Sequence, residues 1–371
     1  MRKILFLVSI LILIFTIPQV VPIKAQEEQT VIGIDLTPGR VEGIDTPNGK
    51  ALLKALKTDL EKLDFKVVEL KKISIETLEG VDALILGKIA DKEHGFTDDE
   101  IRAIKDWFNY AGRFIYISGD GDYPTDGGGS MAFKAEEPNK ILEAIGSRIR
   151  IEPTSVMDPL SNGGEPYECI AKEANSENFA WKISWRRPGG IYAGFTNVLF
   201  HTPTILAGYK AGEFVPLDEI VDKDLVWVFK TSAEAVIVDH DDVAPRSVKV
   251  GDKGAMYGTG FVLVAAERIP VRNGYSRVLV AGESPIGSNS TWTKVFKGRS
   301  LVGPEFGEKA FEWGTLKLEV VETGEDYTPH ILVAIFLALV AIAIYRRRRK
   351  KAIPVEEEEE VEEEDEEYLY M

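Results

Sequence analysis

The chain has 371 residues, with 60 acidic and 44 basic side chains and a formal net charge of −16. That surplus repels phosphodiester backbones and argues against nucleic acid as a partner; a single cysteine, Cys169, excludes an intrachain disulfide. Glutamine is confined to Gln19, Gln26 and Gln29 while Glu, Lys, Val and Ile abound, a balance that suggests a thermophilic prokaryote.

Arg2-Lys3 precede the apolar run Ile4 to Ile17, followed by Pro18 and a polar change at Lys24-Ala25-Gln26. This reads as a signal peptide over 1–25, cut after Ala25, with an uncleaved anchor as the alternative. An extracytoplasmic α/β domain is expected over 26–315. Val31 to Leu36 is a β-branched run suited to a buried strand, and Asn48 to Phe65 carries Leu52, Leu53, Leu56, Leu60 and Leu63 on one helical stripe. Lys66 to Leu70 and Asp82 to Gly87 read as further strands. Thr97-Asp98-Asp99-Glu100 is a capping box opening a helix through Ile101, Ile104, Trp107 and Phe108, with Gly112 as its expected left-handed stop. Arg113 to Ser118 is the fourth strand.

Strands alternating with helices predict a mainly parallel sheet with helices on both faces. Pro138 to Ile145 reads as helix and Arg148 to Glu152 as extended. From about 153 to 258 the pattern is irregular, with short strands such as Val198 to Phe200 and Ala235 to Val238. Gly260 to Ala266 and Arg277 to Ala281 are closing strands, and Phe306 to Trp313 the final helix. A stalk over 316–326 leads to the charge-free run Ile331 to Tyr345. Counted from Tyr327, that run gives a span over 327–345 of about 28 Å as helix. Arg346, Arg347, Arg348, Arg349, Lys350 and Lys351 follow at once, which anchors this end in the cytoplasm. A buried core helix is the alternative reading of the apolar run. The acidic tail from Glu356 to Glu367 cannot build a core; it either solubilises or docks a basic partner.

The layout of Val81 to Gly87, Phe96 to Ile101, then Trp107 with Ala111 to Tyr116, closed by Arg277 to Ser284, resembles the class I glutamine amidotransferase-like fold in its non-catalytic branch. It is similar to auxiliary components of gliding-type ABC transport systems and to an intraflagellar-transport family. The resemblance implies a flavodoxin-like α/β architecture and a role in assembly. The catalytic members carry a cysteine in a strand-to-helix elbow; here Ile117-Ser118-Gly119-Asp120-Gly121 has no thiol, and Cys169 lies in Pro166 to Ile170, outside any such elbow.

A serine elbow is also poorly supported. Ser284 sits in Gly282-Glu283-Ser284-Pro285-Ile286-Gly287, one residue too long for G-x-S-x-G, and Ser118 lacks the first glycine. Of the histidines His94, His201, His240 and His330, a triad would need His201 or His240. The Gly119 to Ser130 loop follows a strand end, where open α/β sheets take ligands. Its Asp120, Asp122 and Asp126 offer oxygen ligands of the kind calcium prefers, without the full EF-hand pattern; an exposed acidic turn is the plainer reading. Asp239, His240, Asp241 and Asp242 form a second cluster in which Asp239, His240 and Asp242 are metal candidates, although neighbours on an extended strand point to opposite faces. Phe179, Trp181, Trp185, Tyr192 and Phe195 either pack the irregular half or stack on a sugar. Asn289-Ser290-Thr291 is a glycosylation sequon.

Two functions compete. The first is a membrane-anchored extracytoplasmic binding or assembly module without catalysis, with a protein partner such as the subunits of an ABC-type transporter. The second is an exported hydrolase, metal-assisted through Asp120, Asp122 and Asp126 or His240. Convergence of these side chains in one cleft favours the enzyme.

Overall fold

The computed structural model describes residues 29–123, 130–184 and 196–315. The signal peptide, Asp126, Trp185, Tyr192, Phe195, the stalk, the apolar run and the cations Arg346 to Lys351 lie outside these residues. Among the described residues no helix is long and apolar enough to cross a membrane.

The chain opens with β1 (Val31–Asp35), α1 (Pro47–Lys62), β2 (Lys66–Leu70), α2 (Ile75–Leu78), β3 (Ala83–Leu86), α3 (Asp98–Phe108) and β4 (Phe114–Ser118). Each helix start has a local cause. The Thr46 side chain accepts from Gly49 N with Pro47 just inside α1, and Thr97 and Glu100 form the reciprocal capping box of α3. The α3 helix ends at Phe108 with Asn109 as its cap, short of the expected stop; Gly112, at φ +86°, serves the turn into β4 instead.

Next come α4 (Phe133–Ala144), β5 (Ile149–Ile151), β6 (Ser155–Met157), β7 (Glu168–Ile170), β8 (Glu173–Ala174) and α5 (Ala180–Ile183). The strands β9 (Leu199–His201), β10 (Leu206–Lys210), β11 (Glu213–Pro216), β12 (Leu225–Lys230) and β13 (Val236–Val238) follow. The described part closes with β14 (Val262–Val271), β15 (Gly274–Ala281) and α6 (Gly303–Gly314).

The main sheet has eight strands in the order β2-β1-β3-β4-β15-β14-β12-β8. The expectation of a mainly parallel sheet holds for one half. β2, β1, β3, β4 and β15 run parallel, while β14, β12 and β8 extend the sheet antiparallel. The reversal comes from a hairpin in which Val271 faces Gly274 around Asn273, whose φ is +66°. Asn-Gly between apolar runs is a strong hairpin signal, because both residues tolerate positive φ. The irregular region 153–258 supplies β12 and β8 to the main sheet. It also provides β10 and β11, which form a three-stranded sheet with β5.

Alternation along β4 shows how the sheet is covered. Phe114 and Tyr116 join one core with Leu56, Leu60, Phe306 and Phe311 from α1 and α6. Ile115 and Ile117 join the other with Ile104, Trp107, Ile141 and Leu142 from α3 and α4. Both faces of the parallel half are buried, as the continuous apolar strands require. Phe179, on the edge of α5, stacks on Trp313 at 5.1 Å and serves packing, whereas Trp181 is exposed.

Candidate functional site

The carboxyl ends of parallel strands are where open α/β folds take ligands, above all where crossovers reverse direction. Here the reversal lies between β1 and β3, since β1 pairs β2 on one side and β3 on the other. The chain closes that position with its own residues. Glu42 N donates to the Lys88 carbonyl at 3.2 Å and Ala90 N to the Arg40 carbonyl at 2.7 Å, with Val41 bridged to Ile89. Behind this seal Arg40 Nη1 donates to Asp35 Oδ2 at 3.0 Å and Nη2 to both oxygens of Glu100 at 2.8 Å. Its guanidinium lies over the Phe96 ring at 4.6 Å. Glu100 thus caps α3 and neutralises Arg40 with one carboxylate.

A second buried network covers the ends of β3, β4 and β15. Asp120, two residues past β4, accepts from Lys134 Nζ at 2.9 Å and from Lys88 Nζ at 3.4 Å. Glu42 stands 3.2 Å from Lys134 Nζ and 3.9 Å from Lys88 Nζ. The first of these contacts is an ion pair lacking hydrogen-bond geometry, because Glu42 Oε2 has no hydrogen-bond partner among the described residues. Lys88, Lys134 and Asp120 are each at most 4 % exposed, and Glu283, two residues past β15, is fully buried. Burial opposes the Lys88 charge, but Asp120, Glu42 and Glu283 hold its ammonium above the ordinary lysine range. Lys134 rises likewise, against burial, beside Asp120 and Glu42.

Glu283 behaves in the opposite way to an ordinary carboxylate. Burial, aided by Asp120 and Glu42 and opposed by Lys88 and the His201 amide, pushes it up to about 8. It therefore keeps a proton at neutral pH. Asp120 Oδ1, Glu283 Oε1 and His201 Nδ1 are buried without a hydrogen-bond partner among the described residues. Burial pulls His201 down, so its ring is neutral. The backbone must come close for Glu283 to reach this network: a Cβ at Gly282 would lie 2.1 Å from the Thr204 carbonyl oxygen.

The nucleophile candidates are sealed. Ser118 Oγ donates to the Leu86 carbonyl at 3.3 Å, and Ser284 Oγ accepts from Ile286 N at 3.1 Å; both serines are buried and neither meets a histidine among the described residues. Cys169 is fully buried, its thiol 3.4 Å from the Val156 and Pro166 carbonyls. Burial first, then the Asp158 charge, pushes that thiol up, away from the thiolate.

The acidic loop divides between two places. Asp120 faces two ammoniums, which disfavours a cation there, while Asp122 joins the other sequence cluster. Asp122 accepts from Ser155 Oγ at 2.5 Å, from His240 Nδ1 at 3.1 Å and from His240 N at 2.7 Å. Ligand oxygens of Asp122, Asp239 and Asp241 lie within 4.8 Å of one another, a set able to hold a hard divalent cation. Most of these oxygens already accept hydrogen bonds. Asp239 takes the amides of Asp241 and Asp242, and Asp241 takes Met131 N at 2.5 Å and Ser130 Oγ at 3.0 Å. Asp242 is exposed at φ +65° and does not join the set. Asn289 is exposed, with Ser290 and Thr291 buried behind it.

Sequence reasoning missed Lys88, Lys134, Glu42 and Glu283. Pro138 was the reason for Lys134: the proline reads as the first turn of a helix, whereas α4 begins at Phe133 and carries it inside.

No family model matches the chain, and no curated protein does. Among solved structures, the mmIFT52 N-terminal domain aligns over 76 % of this chain and 99 % of its own length, at 15 % identity and a TM-score of 0.46. A putative ThuA-like protein from Bacteroides uniformis aligns over 80 % and 95 %, at 11 % identity and a TM-score of 0.38.

Proposed function

We propose that this chain is a membrane-anchored extracytoplasmic binding or assembly module that works without a covalent nucleophile, as an accessory subunit of an ABC-type transport system. One observation carries the reading. The strand ends where such folds hold substrate are filled by the protein's own ion pairs among Arg40, Lys88, Lys134, Asp35, Asp120 and Glu100. The sealed Cys169, Ser118 and Ser284 support it. The signal peptide, the span over 327–345 and the cations Arg346 to Lys351 would place the α/β domain outside and the tail inside, with Asn289 open to glycosylation.

The test is capture of the full-length chain from native membranes after mild cross-linking. Stoichiometric recovery of permease or ATPase subunits is the expected result, and recovery of the chain alone would sink the reading. The meeting of Asp122, Asp239 and Asp241 with His240 favours a second reading, a metal-assisted hydrolase with calcium or a transition metal on those carboxylates. Hydrolysis of ester or phosphoester substrates that is lost on chelation, restored by added calcium or a transition metal, and abolished by Asp241→Asn would establish that alternative.

A further inference from the structure

Away from the strand ends, a groove of about 350 Å³ lies between α4 and the β5-β10-β11 sheet. Four of its side chains form a row. Arg150 on β5 lies with its guanidinium 4.8 Å from the Tyr209 ring centroid, and the Tyr209 and Phe214 rings meet edge to face at 5.6 Å. Arg246 lies 4.9 Å from the Phe214 ring. Register explains the row: Arg150 faces Ala207, two residues before Tyr209, and Tyr209 faces Phe214, so all three share one face of the sheet. Arg246 is fixed from behind, because the buried Glu152 carboxylate accepts from Arg246 N at 3.0 Å and Ser247 N at 2.6 Å.

Neither guanidinium has a carboxylate within ion-pair distance among the described residues. Arg150 is only 7 % exposed, and its bonds run from Nη1 alone, to the Ser147 and Ile149 carbonyls at 2.7 and 2.8 Å. Its Nε and Nη2 donors, the edge that grips an oxyanion with two parallel bonds, have no protein acceptor among the described residues. The Arg246 side chain makes no hydrogen bond there either. Leaving the nearly fully buried Arg150 charge without an ion pair is costly, and in a chain of net charge −16 that lack is not for want of carboxylates; Arg246, exposed, lines the same groove. Glu136 and Glu143 line the exposed rim of the groove. Burial pulls the Arg150 guanidinium down, outweighing Glu143 and the buried Glu267, which favour its charge without pairing with it. Lys140, on the same rim, is bonded to Glu137 at 2.6 Å.

We propose that this groove binds a small organic oxyanion, a carboxylate or a phosphate, gripped by the Arg150 fork and capped by Arg246, with the Tyr209–Phe214 pair as the wall for its apolar part. The site is independent of the assembly role.

Calorimetric titration of the full-length chain with phenyl phosphate and with benzoate, in low-salt buffer free of other oxyanions, tests it. Saturable binding is expected, weakened about tenfold by Arg246→Gln, since one charge-assisted hydrogen bond is worth about a factor of ten or more. Arg150→Lys keeps the charge but loses the fork, and is expected to weaken binding by at least as much. The tighter probe identifies which oxyanion the site prefers. No saturable heat with either probe up to about 10 mM, a concentration that would half-saturate a site of roughly −3 kcal/mol, overturns the proposal. So does equal affinity in the wild type and the exposed Arg246→Gln variant, whose fold is not at risk.

Discussion

The strand-end network and the Arg150–Arg246 groove use the same kinds of side chain to opposite effect. At the strand ends each cation meets carboxylates of the chain itself: Arg40 holds Asp35 and Glu100, and Lys88 and Lys134 share Asp120. In the groove the guanidiniums rest on aromatic rings, and Arg150 Nε and Nη2 and the Arg246 side chain have no protein acceptor among the described residues. Saturated charge of the first kind fixes a backbone arrangement, and breaking one partner strands the others. Unsaturated charge of the second kind is available to a visitor. The lesson is that conventional location in a fold is a weaker guide to a site than the state of its hydrogen bonds.

The sharpest way to break this comparison is to remove one cation from each region. Lys88→Met leaves the buried Asp120 with Lys134 as its one remaining cation among the described residues, and should cost about 3 kcal/mol in denaturant unfolding. Arg246→Gln, on the surface, should stay within about 0.5 kcal/mol. Comparable losses in the two variants would refute the distinction between saturated and open charge.

Next in size is the proton on Glu283. Its folded-state value, about 8, lies above the ordinary glutamate value of 4.5. The folded chain therefore binds the proton more tightly than the unfolded one. The resulting stability is fully present below pH 4.5 and is lost as pH rises through about 8. Glu283→Gln removes that dependence, so the variant should gain on the wild type by a few kcal/mol between pH 5 and pH 9, on the order of one to two kcal/mol per pK unit. A stability difference that stays flat across the range would show that Glu283 is ionised.

A smaller effect is expected at α3. Thr97→Ala removes the cap hydroxyl and should cost about 1 kcal/mol. Glu100→Gln is the informative companion, because this residue also neutralises Arg40; it should cost clearly more than Thr97→Ala, and equal losses would mean that Glu100 acts only as a cap.

Local rules made much of the fold legible. Short-range hydrogen bonding fixes the Thr97–Glu100 box, and the apolar runs at Val31, Ala83 and Phe114 become strands because both of their faces are buried. Legibility ended where sequence-distant groups meet. Asp120 and Asp122 look alike in the sequence, as members of one acidic loop. The first is claimed by Lys88 and Lys134, 32 and 14 residues away, and the second by His240, 118 residues on. No local pattern marks such partners. The hairpin at Asn273-Gly274 carries turn chemistry that the sequence reading passed over, and it explains why three of the eight strands depart from the parallel pattern. The groove left no sequence signal, since Arg150 and Arg246 come together only through the β5–β10–β11 register and the Glu152 clamp.

The sealing of Cys169 has a practical side. As the only sulfhydryl in the chain, and one enclosed in the core, it should stay silent to maleimide reagents while the domain is folded. Cysteines introduced singly along the chain can then be labelled on intact cells against a dark native background. Which segments face the outside could be mapped position by position, with the natural residue left in place.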